Sequence, residues 1–163
     1  MSWDLEKAKI RLHEKGLTIV VVKDFKLLFE SKGHGISNLL ETLDTLGDSI
    51  RGASIADKVV GKAAALLCIS AKVKAVYAPI MSMEAKRVLE KYGVYAEWDM
   101  LVEKILDSSG KDICPFERAA MEINDPEEAY RKFKTLLESL KINENEFDMW
   151  GGTKSLYLKK TVN

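Results

Sequence analysis

The sequence predicts a single α/β domain whose sheet is mixed, opening with an antiparallel hairpin and ending in parallel strands. Residues 17–23 and 27–31 are apolar, partly β-branched runs joined by a short polar reversal, which is typical of a hairpin. Residues 74–80 and 94–98 are β-type runs on either side of a helical segment that begins at Ser82 and ends at Gly93. A strand, a helix and a strand with short joints place the two strands in parallel.

Further helices are predicted wherever apolar residues recur at helical spacing. They are expected from Ser2 to Gly16, over 36–46, from Pro115 to Met121 and from Pro126 to Leu140. The run from 55 to 68 is too continuously apolar for a surface helix, so we expect a buried central helix that includes 55–60. Residues 1–141 are therefore predicted to form the domain, and residues 142–163 an appendage that is either a hairpin or a mobile tail.

The length and composition of the chain limit the classes of protein to which it can belong. The 163 residues suffice for one domain, and 47% of them are hydrophobic and 31% charged. Lys and Arg together number 25, as do Asp and Glu, so no net field draws the chain to nucleic acid or to a membrane. With only two cysteines, no apolar leader and no run near about 18 apolar residues, we expect a cytoplasmic protein.

Metal ligands are scarce in the sequence, and no metal or cofactor is predicted. Zinc needs three or four clustered His, Cys or carboxylate ligands. His13 lies in the first predicted helix, where a solvated surface histidine is expected. His34 lies between Gly33 and Gly35 in a loop and is either a tolerated loop residue or part of a site.

Gly61 and Lys62 resemble the end of a phosphate-binding loop, in which backbone amides surround the phosphates and a lysine meets their charge. The rest of the motif is missing. Ala56 takes the place of its first glycine, and Ala63 takes the place of the hydroxyl residue that holds magnesium. Close helix packing is therefore expected for Gly61, and a surface charge for Lys62.

Four other polar residues lie at predicted helix starts. Asp57 is expected to cap the free amides of the central helix, and Ser82 with Glu84 to cap the next one. Cys114 precedes the helix that starts at Pro115, so the helix dipole is expected to stabilise its thiolate. A nucleophile also needs a base, and no histidine is near Cys114 in the sequence.

The predicted order of helices and strands is accompanied by two characteristic segments. They are Asp57-Lys-Val-Val-Gly61-Lys62-Ala-Ala-Ala65 and Ile113-Cys114-Pro115-Phe116-Glu117. In that combination the chain resembles, over about residues 4–140, an uncharacterised prokaryotic family of unknown function with a cytidine-deaminase-like fold. The resemblance implies a three-layer α/β/α scaffold and a pocket at the amino ends of two helices.

Cytidine deaminases bind zinc through a His-x-Glu or Cys-x-Glu motif at the central helix and Pro-Cys-x-x-Cys at the next helix. This sequence departs from both motifs, so zinc-dependent deamination is not expected. The implied pocket would gather Asp57, Lys62, Ser82, Glu84, Cys114 and Glu117, and His34 is a further candidate. Helix amino ends favour anions, so a nucleotide or another phosphorylated small molecule is the expected ligand.

Three functions follow in order of preference. The first is a non-catalytic binding or regulatory module with this degenerate pocket. The second is an interaction protein or homo-oligomer that uses Trp98, Trp150 and Tyr157. The third is an enzyme with Cys114 as nucleophile and either His34 or Glu117 as its acid or base.

Overall fold

A computed structural model describes residues 3–107 and 109–149, with side chains for 3–107 and 109–141. The helices are α1 (Trp3–Glu14), α2 (Gly35–Leu46), α3 (Lys62–Ser70), α4 (Met83–Lys91), α5 (Pro115–Ala120) and α6 (Pro126–Met149). The strands are β1 (Ile19–Lys23), β2 (Lys26–Ser31), β3 (Ser54–Asp57), β4 (Val59–Val60), β5 (Ala75–Ser82) and β6 (Tyr95–Val102). None of the described helices is long and apolar enough to cross a bilayer.

The sheet is mixed, as predicted. Antiparallel pairs join β2 to β1 and β1 to β3, and parallel pairs join β3 to β5 and β5 to β6. β4 follows β3 after a single residue, Lys58, and pairs with the far end of β5. The hairpin and the parallel β5–α4–β6 unit are therefore both confirmed.

Helices cover both faces of the sheet, which gives the three-layer α/β/α arrangement. Alternate residues of β1 point to opposite faces, as a strand requires. Val20 and Val22 pack under α1 in a small core, whereas Ile19 and Val21 belong to the main core with the other helices. The absence of alternation in this apolar run thus follows from burial on both faces.

The prediction that the central helix includes residues 55–60 was wrong. These residues form β3 and β4, and α3 begins only at Lys62, after Gly61. A continuous apolar run does not distinguish a buried strand from a buried helix by periodicity. All residues of α3 from Ala63 to Ile69 are buried, which confirms that the helix itself is central.

The closing helix is longer than the sequence pattern indicates. α6 starts at Pro126 as predicted and continues to Met149, past the domain boundary expected between 141 and 142. The remainder of the expected appendage, residues 150–163, lies outside the described residues. Trp150 and Tyr157 fall in that segment, and Trp98 is half-buried on β6 with the Lys86 ammonium 5.5 Å from its ring centre.

Candidate functional site

A cavity of about 350 Å³ lies at the amino ends of α3 and α4, next to the carboxyl ends of β5 and β6. Ligand sites of open α/β sheets occur at this edge because the loops that leave the strands surround a crevice there. Its volume lies within the range of small-molecule sites. The cavity is lined by Lys62, Ser82, Glu84, Glu103, Lys104, Ile105, Ile113, Glu117 and Met121.

Glu117 is held in the cavity by hydrogen bonds to the first turn of α3. Its carboxylate accepts hydrogen bonds of 3.0 Å from the backbone amides of Lys62 and Ala63, at the first turn of α3. Burial raises the pKa of Glu117, while these two amides and the Lys62 ammonium lower it. A residue of α5 thus caps the central helix, which corrects the prediction that Asp57 does so.

Gly61 lets Glu117 reach these amides. A β-carbon at position 61 would overlap the Glu117 carboxylate, and it would also lie 2.8 Å from Cγ1 of Ile105. The residue before α3 therefore has no side chain because two other elements occupy the space. This close packing agrees with the interpretation of Gly61 as a packing residue rather than part of a phosphate loop.

Ser82 caps α4, as expected from the sequence. Its side-chain oxygen accepts a hydrogen bond of 3.1 Å from the amide of Ala85, and the residue is buried. Glu84 is exposed in the first turn of α4 and pairs with Arg87 at 2.5 Å. Lys62 is half-buried at the opposite side of the same cavity.

The remaining wall comes from the segment after β6, whose residues were not predicted to belong to the site. Glu103 and Lys104 are exposed at the end of β6, and Ile105 is buried behind them. An antiparallel bridge between Leu106 and Ile113 closes the loop that follows. Residues that directly follow a parallel strand are candidates for a ligand site, because they lie at the carboxyl edge of the sheet. The strand was predicted to end at Trp98, whereas β6 ends at Val102, so Glu103 and Lys104 were not recognised as such candidates.

Asp57 does not line the cavity. It is half-buried at the end of β3, and burial raises its pKa to about 7, against the opposing effect of the amides of Val59 and Lys58. Its charge also raises the pKa of Cys68 on α3, in addition to the larger effect of burial on that thiol. Asp57 therefore lies at the carboxyl end of β3, close enough to α3 for its charge to act on Cys68.

Cys114 and His34 also lie outside the set of lining residues. Cys114 precedes α5 and is buried, and burial raises its pKa although the amides of Glu117 and Phe116 lower it. The expectation of a stabilised thiolate was therefore wrong, because desolvation outweighs the helix amides. His34 is exposed before α2, and its carbonyl accepts a hydrogen bond from Ser37.

The residues of the cavity do not fit a zinc site of the deaminase type. Among the described side chains that line it there is neither a histidine nor a cysteine, and the Glu117 oxygens are bonded to backbone amides. In the described part of the chain, no group of three or more His, Cys, Asp or Glu residues has a metal-binding arrangement.

The arrangement suits a polar ligand with an apolar ring. Lys62 and Lys104 supply ammonium groups, which bind phosphate or carboxylate oxygens. Glu84, Glu103 and Glu117 supply acceptors for N–H and O–H groups. Ile105, Ile113 and Met121 provide an apolar surface beside them.

Residues 7–137 match the TM1506 family, described as a domain of unknown function, DUF1893. A crystal structure of a DUF1893 family protein (TM1506) from Thermotoga maritima is similar to this chain, with 29% identity and a TM-score of 0.74. The similarity covers 83% of this chain and 91% of that chain. None of the curated proteins matches.

Two other solved structures are more distant. The apo dCMP deaminase from cyanophage S-TIM5 has 19% identity and a TM-score of 0.43, covering 58% of this chain and 93% of that chain. RibD from Acinetobacter baumannii has the same identity and TM-score, covering 74% of this chain and 36% of that chain.

Proposed function

We propose that this chain, which belongs to the DUF1893 family, is a non-catalytic module. It binds a nucleotide-like small molecule in the cavity between α3 and α4. One observation carries the proposal. The folding of the chain brings Lys62, Ser82, Glu84 and Glu117, from three separate helix starts, around one cavity of small-molecule size.

The charges of the cavity suggest how such a ligand lies. The amides of Lys62 and Ala63 are already bonded to Glu117, so a phosphate has no access to them while that cap is in place. The side-chain ammonium groups of Lys62 and Lys104 are the cations of the cavity that remain for a phosphate. The glutamates are then acceptors for the amino and ring N–H groups of a base, as acidic side chains are in base recognition.

A binding role, rather than a catalytic one, is supported by the fact that two polar side chains of the cavity are engaged in capping helices. The Glu117 carboxylate caps α3, and the Ser82 oxygen caps α4. A group that holds a helix end cannot leave that position for a reaction without exposing unsatisfied amides. These two residues therefore shape the site, and the exposed lysine and glutamates contact the ligand.

Calorimetric titration tests the proposal with a panel of nucleoside monophosphates and the matching nucleosides. We expect at least one nucleotide to bind, and to bind more tightly than its nucleoside. Lys104→Gln is expected to weaken the nucleotide about fivefold or more, as the loss of a charge-assisted hydrogen bond does, and to leave the nucleoside unchanged. Lys91→Gln, at an exposed lysine of α4 that does not line the cavity, is the matched control.

Flat heats for the whole panel would refute the nucleotide proposal. Equal loss of nucleotide and nucleoside binding in Lys104→Gln would mean that the lysine does not meet the phosphate. Stoichiometric zinc in the purified protein, together with ammonia release from a nucleoside, would overturn the non-catalytic assignment.

A further inference from the structure

Two aromatic side chains protrude at the end of the molecule opposite the cavity. Trp3, the first residue of α1, is 76% exposed, and Phe25, in the turn between β1 and β2, is 66% exposed. The turn lies beside the amino ends of β3 and β5, because Val22 pairs with Ser54 and Ser54 with Ala75. The cavity lies at the carboxyl ends, so this surface is separate from it.

Phe25 occupies a position that disfavours it. Asp24 and Phe25 form a two-residue turn with φ values of 52° and 68°, between the paired residues Lys23 and Lys26. Left-handed backbone at both central positions defines the hairpin turn that prefers Asn-Gly or Asp-Gly. A bulky side chain at the second position is an outlier, and such strain points to a role outside folding.

The turn is held by groups of α1 rather than by Phe25. The buried Asp4 carboxylate accepts hydrogen bonds from the amides of Asp24 and Phe25, at 2.9 and 2.8 Å. The Lys7 ammonium donates to the Phe25 carbonyl at 2.6 Å. These contacts fix the backbone of the turn and leave the Phe25 ring in solvent. Trp3 directly precedes Asp4 in the sequence.

Five basic residues belong to the same end of the molecule as these two aromatic residues, although the whole chain has no net charge. They are Lys7, Lys23, Lys26, Arg51 and Lys74, against the acidic residues Asp4, Asp24 and Asp48. The Lys23 ammonium lies 3.4 Å from the Ser49 carbonyl, and Lys74 lies 4.0 Å from Asp4, so both belong to the same end of the molecule. The set of five basic and three acidic residues is therefore positive, and Lys72 at the same end is paired with Glu127.

We propose that this basic aromatic end, defined by Trp3, Phe25, Lys7, Lys23 and Lys26, docks on an anionic lipid bilayer. Tryptophan and phenylalanine insert at the boundary between headgroups and acyl chains, and nearby lysines are attracted to anionic headgroups. A hairpin tip is convex, which suits insertion into a bilayer surface.

Co-sedimentation of the full chain with vesicles tests this docking. We expect binding to vesicles of phosphatidylcholine with phosphatidylglycerol at low salt, little binding to phosphatidylcholine alone, and loss of binding as salt rises. Phe25→Gly and Trp3→Ala are each expected to reduce partitioning at least fivefold, and Lys26→Gln about fivefold. The matched controls are Met100→Ala, at an apolar residue that is 59% exposed on β6, and Lys58→Gln, at an exposed lysine directly after the carboxyl end of β3.

Phe25→Gly separates this role from folding, because it creates the favoured Asp-Gly turn and is expected to raise the melting temperature while binding is lost. Absence of binding to anionic vesicles at low salt would refute the proposal. Unchanged partitioning of Phe25→Gly and Trp3→Ala would also refute it. If the same variants instead lost affinity for a labelled oligonucleotide that competes with vesicles, the surface would be assigned to nucleic acid and the lipid proposal would fail.

Discussion

Gly61 and Glu117, 56 positions apart in the sequence, occupy adjoining space so tightly that a single β-carbon at position 61 would overlap the glutamate carboxylate. The absent side chain lets the carboxylate reach the first amides of α3. Through this contact α5 is joined to the central helix, and the floor of the cavity takes its shape.

Gly61→Ala is expected to lower the free energy of unfolding by about 2 to 3 kcal/mol, because overpacking is added to the loss of the Glu117 cap. Urea denaturation measures this difference. In a Glu117→Ala background the same change is expected to cost less, since the overlapping carboxylate is gone, although Ile105 still lies close. Equal costs in the two backgrounds would show that Gly61 and Glu117 are not coupled.

Asp57 is expected to make stability fall as the pH rises. Burial raises its folded pKa from 3.8 to about 7, so the unfolded chain loses this proton first. The stability that the protonated Asp57 provides is complete below about pH 4 and is lost as the pH rises through about 7. The free energy of unfolding, measured by urea denaturation from pH 4 to 8, should therefore decline less steeply for Asp57→Asn than for the wild type.

Asp112→Asn, a change at an exposed carboxyl of the loop before α5, is the control for that titration and should keep the wild-type slope. Parallel pH profiles for Asp57→Asn and the wild type would contradict the assignment.

Ser82→Ala is expected to cost about 1 kcal/mol of stability, because it leaves the Ala85 amide of α4 without its side-chain partner. Thermal and urea denaturation both report this change. Ser37→Ala is a suitable comparison, since the hydroxyl of this exposed serine donates to the His34 carbonyl and its loss should cost no more than about 0.5 kcal/mol. A cost for Ser82→Ala no larger than this would mean that the cap contributes little.

Both cysteines are expected to resist a thiol reagent in the native protein and to react in urea. Cys68 and Cys114 are buried free thiols, and burial raises the pKa of each, so the reactive thiolate is disfavoured. Reaction with Ellman's reagent, with and without denaturant, measures this protection. Rapid labelling of native Cys114 would revive the alternative of an enzyme that uses this residue as a nucleophile.

Much of the fold could be predicted because its signals are local. The β1–β2 hairpin, the Ser82 cap and the Pro126 start of α6 each depend on residues within a few positions of one another. The family resemblance rested on two short segments and is confirmed by the match over residues 7–137.

The site was only partly predictable. Lys62, Ser82, Glu84 and Glu117 line one cavity, whereas Asp57, Cys114 and His34 lie elsewhere. The sequence places polar residues at helix starts, but it does not tell which helix starts converge. Glu103 and Lys104 were missed because the end of β6 depends on pairing with β5, which extends to Ser82 and Val102.

The sequence by itself determined the mixed α/β class, the hairpin and the parallel β5–α4–β6 unit, since periodicity and capping act over short distances along the chain. Only the tertiary structure decided that residues 54–57 and 59–60 are strands and that Glu117 rather than Asp57 caps α3. Both outcomes depend on contacts between residues far apart in the chain, where strand pairing and the shared space of Gly61 and Glu117 outweigh local preference.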